Sequence, residues 1–386
     1  MMLALLLACG PDVRSMYEEE KVRAMAVASD TPAEWKPDLV VGLGDEALGD
    51  AVQAVLDDQL SATVKAIPVE LPLGAAAKLT PHLSVRKLEL RPGQGCESCL
   101  HFEATLGGDV DWTLGGMGGK FPGKVTAAGQ LQLVVQEGTK VALKPFKVGK
   151  VELAAGDLGG FRVSPASQLQ DYVRAIVGEQ LQPIPLADLG AAGLPIRVLR
   201  IKTGEHAVRI EALTNVPGAT EATVGDPAAD ALLVGISESA VTGLLRREAF
   251  AKGTVAMDVA IDPRAIHVDG AAFRLDLRLW RLAGTGWWRD YDCAGTLSVQ
   301  RGKLRLEPGS VNEVEASPNA ELVDPLAALA QSQILEAIAD NLAQTLPVAE
   351  STKLGGVKLR AVATGVRGAS GTLILDAALR VPGADR

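Results

Sequence analysis

The sequence predicts an α+β chain of two tandem modules, each a strongly twisted antiparallel sheet packed on long amphipathic helices. Three observations predict it. Four segments carry apolar residues at helical spacing. The segments between them alternate with period two, as half-buried strands do. The order helix, strands, helix, strands then occurs a second time.

The chain opens on an apolar run that ends Leu6-Leu7-Ala8-Cys9. This run resembles the lipobox of a bacterial lipoprotein, in which a small residue precedes the Cys that is lipidated. The resemblance implies lipidation of Cys9 and a signal over residues 1–9. The run lacks a Lys or Arg before it and is short; the alternative is an apolar N-terminus with an incidental Cys. Residues 10–38 are polar and weakly patterned, with Glu18-Glu19-Glu20 and three prolines. They read as a tether with a short helix over Met16 to Ala28.

The first core helix places Leu43, Ala47, Leu48, Ala51, Val52, Val55, Leu56 and Leu60 on one face. The second starts at Pro165 after the cap Ser164. Its stripe is Leu169, Tyr172, Val173, Ile176, Val177 and Leu181, and Pro183 ends it. The third is capped by Ser237 and carries Ala240, Val241, Leu244 and Leu245. The fourth starts at Asp324-Pro325 and carries Leu326, Leu329, Ile334, Leu335, Ile338 and Leu342 until Pro347. Strand alternation is clearest at Leu131, Leu133 and Val135, at Phe273 to Leu279, and at Leu373 to Leu379.

The repeat is literal in places. Val41-Gly42-Leu43-Gly44 opens the first helix and Val234-Gly235-Ile236-Ser237 opens the third. Each unit closes on Val-Pro-Gly-Ala, at Val216 to Ala219 and at Val381 to Ala384. The modules are therefore 39–213 and 231–386, with 214–230, rich in Pro and Gly, as the linker.

Composition excludes several functions. The net charge is −9, from 38 Lys and Arg against 47 Asp and Glu. An acidic chain repels phosphate backbones, so nucleic acid is not an expected partner. Aromatic residues are 4% of the chain, against the Trp and Tyr girdles of an outer-membrane barrel. No apolar run reaches the ~18 residues of a membrane-spanning helix. No nucleophile elbow, zinc-protease motif or phosphate loop is present. The glycine-rich Gly115-Gly116-Met117-Gly118-Gly119 leads to Phe121-Pro122 and reads as a hairpin loop. The four His are scattered. An enzyme, a cofactor and a metal are not expected.

Cys96-Glu97-Ser98-Cys99 is a C-x-x-C between predicted strands. A small disulfide loop is the leading reading; a thioredoxin motif wants a strand-to-helix turn and zinc wants more ligands. Trp287-Trp288 beside a turn suits insertion at a membrane interface, or equally a cross-strand packing pair.

The element order, the Val-Gly-Ile-Ser-Glu opening of the third helix and the helix from Pro165 to Leu181 resemble the tubular lipid-binding superfamily. The resemblance is to its two-module members, akin to bactericidal/permeability-increasing protein and lipid-transfer proteins. It covers roughly Leu39 to Arg386. It implies a boomerang-like pseudo-dimer in which each sheet curls around its helices and encloses an apolar tube for acyl chains. The lining it implies is Val52, Val55, Leu56, Leu169, Tyr172, Val173, Ile176 and Val177 in the first module. In the second it is Val241, Leu244, Leu245, Ile334, Leu335 and Ile338. The alternative is that these stripes close on one another as filled cores. The endotoxin-binding member uses a basic tip, and this acidic chain departs from it. The expected function is binding, and transfer, of a phospholipid or neutral lipid. The expected form is a monomer tethered to a membrane as a periplasmic or outer-membrane lipoprotein, or a secreted chain. The alternative is a structural or adaptor protein of the same compartment, holding no lipid.

Overall fold

The computed structural model describes residues 12–29, 34–62, 66–70, 76–92, 96, 98–153, 157–158, 161–162, 183–190, 194–256, 258–301, 303–320, 351–354 and 357–380. The expected helices at Ser164–Leu181 and Asp324–Leu342 lie outside them, as do Cys9 and the predicted lining residues Leu169, Tyr172, Val173, Ile176, Val177, Ile334, Leu335 and Ile338.

Among the described residues, helix α1 (Val13–Met25) precedes the first module. The first module then comprises β1 (Leu39–Gly44), α2 (Asp45–Ala62), β2 (Ile67–Glu70), β3 (Ala76–Pro92), β4 (Cys99–Leu114), β5 (Met117–Gln136) and β6 (Lys140–Leu153). It continues through the short β7 (Asp157–Leu158) and β8 (Phe161–Arg162) to β9 (Ile184–Asp188), β10 (Ile196–Thr203) and β11 (Ala207–Thr214). The second module comprises β12 (Ala231–Ser237), α3 (Glu238–Lys252), β13 (Thr254–Ala256), β14 (Val259–Asp269), β15 (Ala272–Arg281), β16 (Trp287–Gln300) and β17 (Lys303–Ala316). It ends with β18 (Ser351–Leu354), β19 (Val357–Ala369) and β20 (Thr372–Arg380).

The fold is α+β with two modules built on antiparallel sheets. The first has a six-stranded sheet, β2-β3-β4-β5-β6-β9, and the second a five-stranded sheet, β13-β14-β15-β16-β17. Between them runs a seven-stranded sheet to which both contribute, β10-β11-β1-β12-β20-β19-β18. The sharing obeys the internal repeat. The shift in numbering that carries Val41-Gly42 onto Val234-Gly235 makes β12 the repeat of β1, and these strands pair antiparallel with Val41 opposite Val234. A residue facing its own equivalent marks a local two-fold axis. The shift set by the Val-Pro-Gly-Ala echo carries Ala212 onto Ala377. Leu39 pairs with Ala212, and its equivalent Leu232 pairs with Ala377.

All six residues of β1 are buried, which follows from neighbours on both edges and layers on both faces. This corrects the expected start of the first core helix. Leu43 belongs to β1, paired with Val208 and Leu232, and the helix begins two residues later at Asp45. Asp45 and Glu46 put negative charge in the first turn of α2, where the helix dipole favours it. α3 is capped as expected: Ser237 Oγ accepts from Ala240 N at 3.2 Å, and Gly253, at φ 72°, ends the helix.

The stretch expected to be a linker covers the shared sheet. Ala222 and Val224 pack with Val40, Leu233 and Ile374. The two echoed glycines make room for it. A Cβ on Gly235 would overlap Val224 Cγ1, and one on Gly42 would lie 3.2 Å from Pro227 Cδ. The stretch expected to be a tether also differs. α1 starts three residues before the expected helix, on the cap Asp12, and docks on the second module through Val13, Tyr17 and Ala24.

Candidate functional site

In the first module the six-stranded sheet turns an apolar face inward along β4, β5 and the start of β6. Along β5 the buried residues alternate strictly: Phe121, Gly123, Val125, Ala127, Gly129, Leu131 and Leu133. Leu131 and Leu133 fulfil the expected alternation, while Val135, at the strand's end, is exposed. β4 continues the face with Leu100, Phe102, Ala104, Leu106 and Val110, and β6 with Val141 and Leu143. Val52 and Val55 of α2 are fully buried against this face, and Leu56 packs at its margin. The structure thus brings together these three predicted lining residues.

Side chains of α2 hold the helix on the sheet. β3 carries a bulge between Val85 and Lys87, which frees backbone groups from the ladder. Gln53 Nε2 donates to Val85 O at 3.0 Å, and Val85 N donates to Asp57 Oδ1 at 2.5 Å. Burial raises the Asp57 pKa above its ordinary value, against the Val85 hydrogen bond that lowers it.

The second module repeats the device with other chemistry. β14 is bulged between Pro263 and Ala265. Arg246 stands at the repeat equivalent of Gln53 and grips Asp262 of β14 with two hydrogen bonds, at 2.6 and 3.0 Å. Asp262 is fully buried, and burial raises its pKa although Arg246 works to lower it. Val268 N donates to Glu238 Oε1 at 2.7 Å and Ile266 N to Thr242 Oγ1 at 3.1 Å. Val241, Leu244 and Leu245 lie buried in the same core cluster as Val52 and Val55. The inner face here is less purely apolar. Arg289 shares the buried side of β16 with Trp287, Tyr291 and Cys293, and pairs with Glu313 at 2.7 Å.

Two grooves lie at repeat-equivalent places, at the N-terminal ends of α2 and α3. The first, about 490 Å³, is lined by Asp45, Glu46, Asp50, Glu89 and Glu205, with Arg91 and His206. The second, about 420 Å³, is lined by Arg23, Arg246, Arg247, Arg264 and His267, with Glu238. Their charges are opposite although their frames are the same.

Other predicted residues resolve singly. Cys96 and Cys99 form the disulfide expected for the C-x-x-C. Cys293 is a buried free thiol whose pKa burial pushes up to about 11. Trp287 and Trp288 face opposite ways: the core position of Trp287 departs from the membrane-contact expectation, and Trp288 is half-buried. Strand alternation turns Trp287 into the core, 5% exposed. Trp288 pairs across the strands with Trp280, under the guanidinium of Arg278 at 4.0 Å. The cross-strand alternative is the one the packing realises. His82, His101 and His267 each lie beside one carboxylate at the surface and His206 beside two, and among the described residues no three His, Cys, Asp or Glu side chains converge as a metal set. Sequence reasoning missed the shared sheet, the docking of α1 and the paired grooves. The Arg246-Arg247 pair was a visible signal for the docking, because two adjacent cations on one helix need partners.

No family model matches the chain, and no curated protein matches it in sequence. The chain is similar to a solved structure of lipopolysaccharide binding protein. The identity is 10% and the TM-score 0.41, over 90% of this chain and all of that one. A chain described as a DNA polymerase III beta subunit, from Eubacterium rectale, matches at 8% identity and a TM-score of 0.09, over 89% of this chain and 65% of that one. Likenesses this distant carry no statement about chemistry, so the functional reading rests on the residues.

Proposed function

We propose that this chain is a non-catalytic lipid-binding protein that takes acyl chains between helix and sheet inside its modules, the first above all. One observation carries the proposal: along β4, β5 and the start of β6 the buried residues are all apolar or glycine, and Val52, Val55 and Leu56 of α2 pack in the same cluster. A long chain gains about 0.8 kcal/mol for each methylene moved from water onto such a surface, and loses the gain wherever a polar group interrupts it. Small residues, Gly123, Ala127 and Gly129, stand in the middle of that face, and at Gly123 the side chains of Val110 and Leu83 close over the backbone. The ligand class that fits is a phospholipid or a neutral lipid, and the activity is carriage or transfer. Leu6-Leu7-Ala8-Cys9 supports attachment to a membrane through a lipidated Cys9, in the periplasm or outer membrane of a bacterium, as a monomer with internal pseudo-symmetry.

A second reading has its own observation. Val52, Val55 and Val241 are buried by the side chains of one core cluster, as they would be in a filled core of a structural or adaptor protein. Native mass spectrometry of the chain purified without detergent, followed by organic extraction, separates the two. One or two lipids per chain support carriage and name the ligand class. A bare chain that also refuses a fluorescent phospholipid supports the filled core.

A further inference from the structure

The described residues before β1 are held at several points along the second module. α1 lies antiparallel to α3. Tyr17 meets Phe250 with ring centroids 5.2 Å apart, and Glu20 accepts from Arg246 Nη2 at 2.8 Å. Farther along, Arg247 donates to the carbonyls of Ala24 and Ala26, at 3.3 and 2.5 Å, and so closes the C-terminal end of α1. Ala28 N then donates to Asn215 O, and Trp35 Nε1 donates to Glu211 of the shared sheet. A helix of 13 residues is marginal alone in water, so α1 owes its order to this docking.

The other end of α1 is the informative one. Val13 packs with Phe250, Ala260 and Trp280. It also lies against Gly286, where an added Cβ would come within 3.0 Å of Val13 Cβ. Gly286 is in the turn between β15 and β16. β15 starts beside Gly270, which is bridged to Gly368 of the shared sheet, and runs ten residues away from it. At ~3.3 Å per residue the turn stands roughly 33 Å out. The chain therefore enters the fold, at Asp12, on the outer end of the second module. The same end exposes Val255 of β13, at 50%, and Val314 of β17, at 68%.

We infer that α1 orients the molecule on a lipid bilayer, with the Ala283–Gly286 end of the second module against the membrane and the β4–β5 turn of the first module directed away. The inference rests on the anchored reading of Cys9 given above. Cys9 stands three residues before Asp12, a reach of at most ~11 Å. A flexible tether would let any face approach the membrane; a docked helix lets only one. A single acyl chain binds a bilayer marginally, and stable attachment takes a second contact. Val255 and Val314 lie at the end where that contact must form.

The test uses the full lipidated chain in phosphatidylcholine vesicles that carry an acceptor dye on the headgroups. A donor dye is placed on Thr285→Cys or on Thr113→Cys, at the outer turns of the second and first modules. Strong energy transfer from position 285 and little from position 113 is expected. Equal transfer, or stronger transfer from 113, overturns the orientation. Transfer between labelled chains at position 285 assigns that end to a second copy and overturns it too. Arg247→Ala, which frees the end of α1, is expected to narrow the difference at least two-fold while the chain stays on the vesicles. Should that variant unfold, Tyr17→Leu serves in its place. Vesicle flotation and the mass of the Cys9 peptide report the anchor separately. If Cys9 is unmodified the anchored reading fails. The same labelled chains held by an N-terminal His tag on nickel-chelating vesicles then still decide whether α1 sets the orientation.

Discussion

Asp38 sits where the N-terminal segment enters β1, 2% exposed. Its carboxylate accepts from Thr214 N at 2.8 Å and from Thr214 Oγ1 at 2.6 Å. Burial nevertheless raises its pKa above the ordinary value, against those two hydrogen bonds. Between the unfolded and the raised folded pKa, the native chain keeps a proton that the unfolded chain has lost. The stability from Asp38 is therefore full below the unfolded pKa and is lost as pH rises through the folded one. Asp38→Asn keeps an acceptor for Thr214 N and does not titrate. Melting curves from about pH 4 to about pH 7 should show the variant gaining on the parent as pH rises; a constant gap would remove Asp38 from the pH dependence. Cys293 gives a simpler readout. With its thiol buried and its pKa near 11, a chain starting at Gly10 should not react with an aromatic disulfide reagent at about pH 8 until it is unfolded, when one thiol appears. Fast labelling of the native chain would contradict the burial. Cys293 was legible as a buried small residue in the sequence, whereas Asp38 was not. Nothing near Asp38 in the sequence shows that Thr214 will be its partner.

At the scale of elements, the linker lies on the shared sheet because two glycines admit it. Gly235→Val should cost about 2 kcal/mol or more in denaturant unfolding, since Val224 occupies the space. Gly225→Ala, in the same linker with nothing within 4 Å, should change stability by no more than about 0.5 kcal/mol. Equal losses for the two would show that the linker does not pack as described. The stripes of α2 and α3 were readable because burial on one side of a helix imposes the 3.6-residue period. The cap Ser237 was readable because capping is local. The start of α2 was misplaced because Leu43 is apolar for a different reason, its pairing inside a sheet. Trp287-Trp288 was ambiguous because adjacent strand residues face opposite ways, and only the neighbours above and below decide what each ring meets.

For the whole molecule, the shared sheet makes each module depend on the other. Without β12, the β1 of residues 12–220 becomes an unprotected edge of six apolar or glycine residues. Because Val41 already lies on a local two-fold axis, that fragment should dimerise through β1. Sedimentation would read it, and a stable monomer would argue against the shared sheet as the joint. Leu245→Trp addresses the interior. In a module that takes lipid, it should reduce fluorescent-phospholipid uptake several-fold with little loss of stability. In a filled core it should cost ~1–3 kcal/mol and leave uptake in the first module unchanged.

The sequence by itself determined what depends on neighbours along the chain: strand and helix periods, caps, the twofold repeat and the disulfide loop. It also held the symmetry of the shared sheet, since its echoes carry the same shifts as the pairing register. Only the tertiary structure decided that β1 and β12 pair, that the linker and α1 are docked, and that one repeated groove became acidic and the other basic. Those outcomes depend on contacts between residues far apart in sequence. A local pattern records that a surface will be buried and does not record against what.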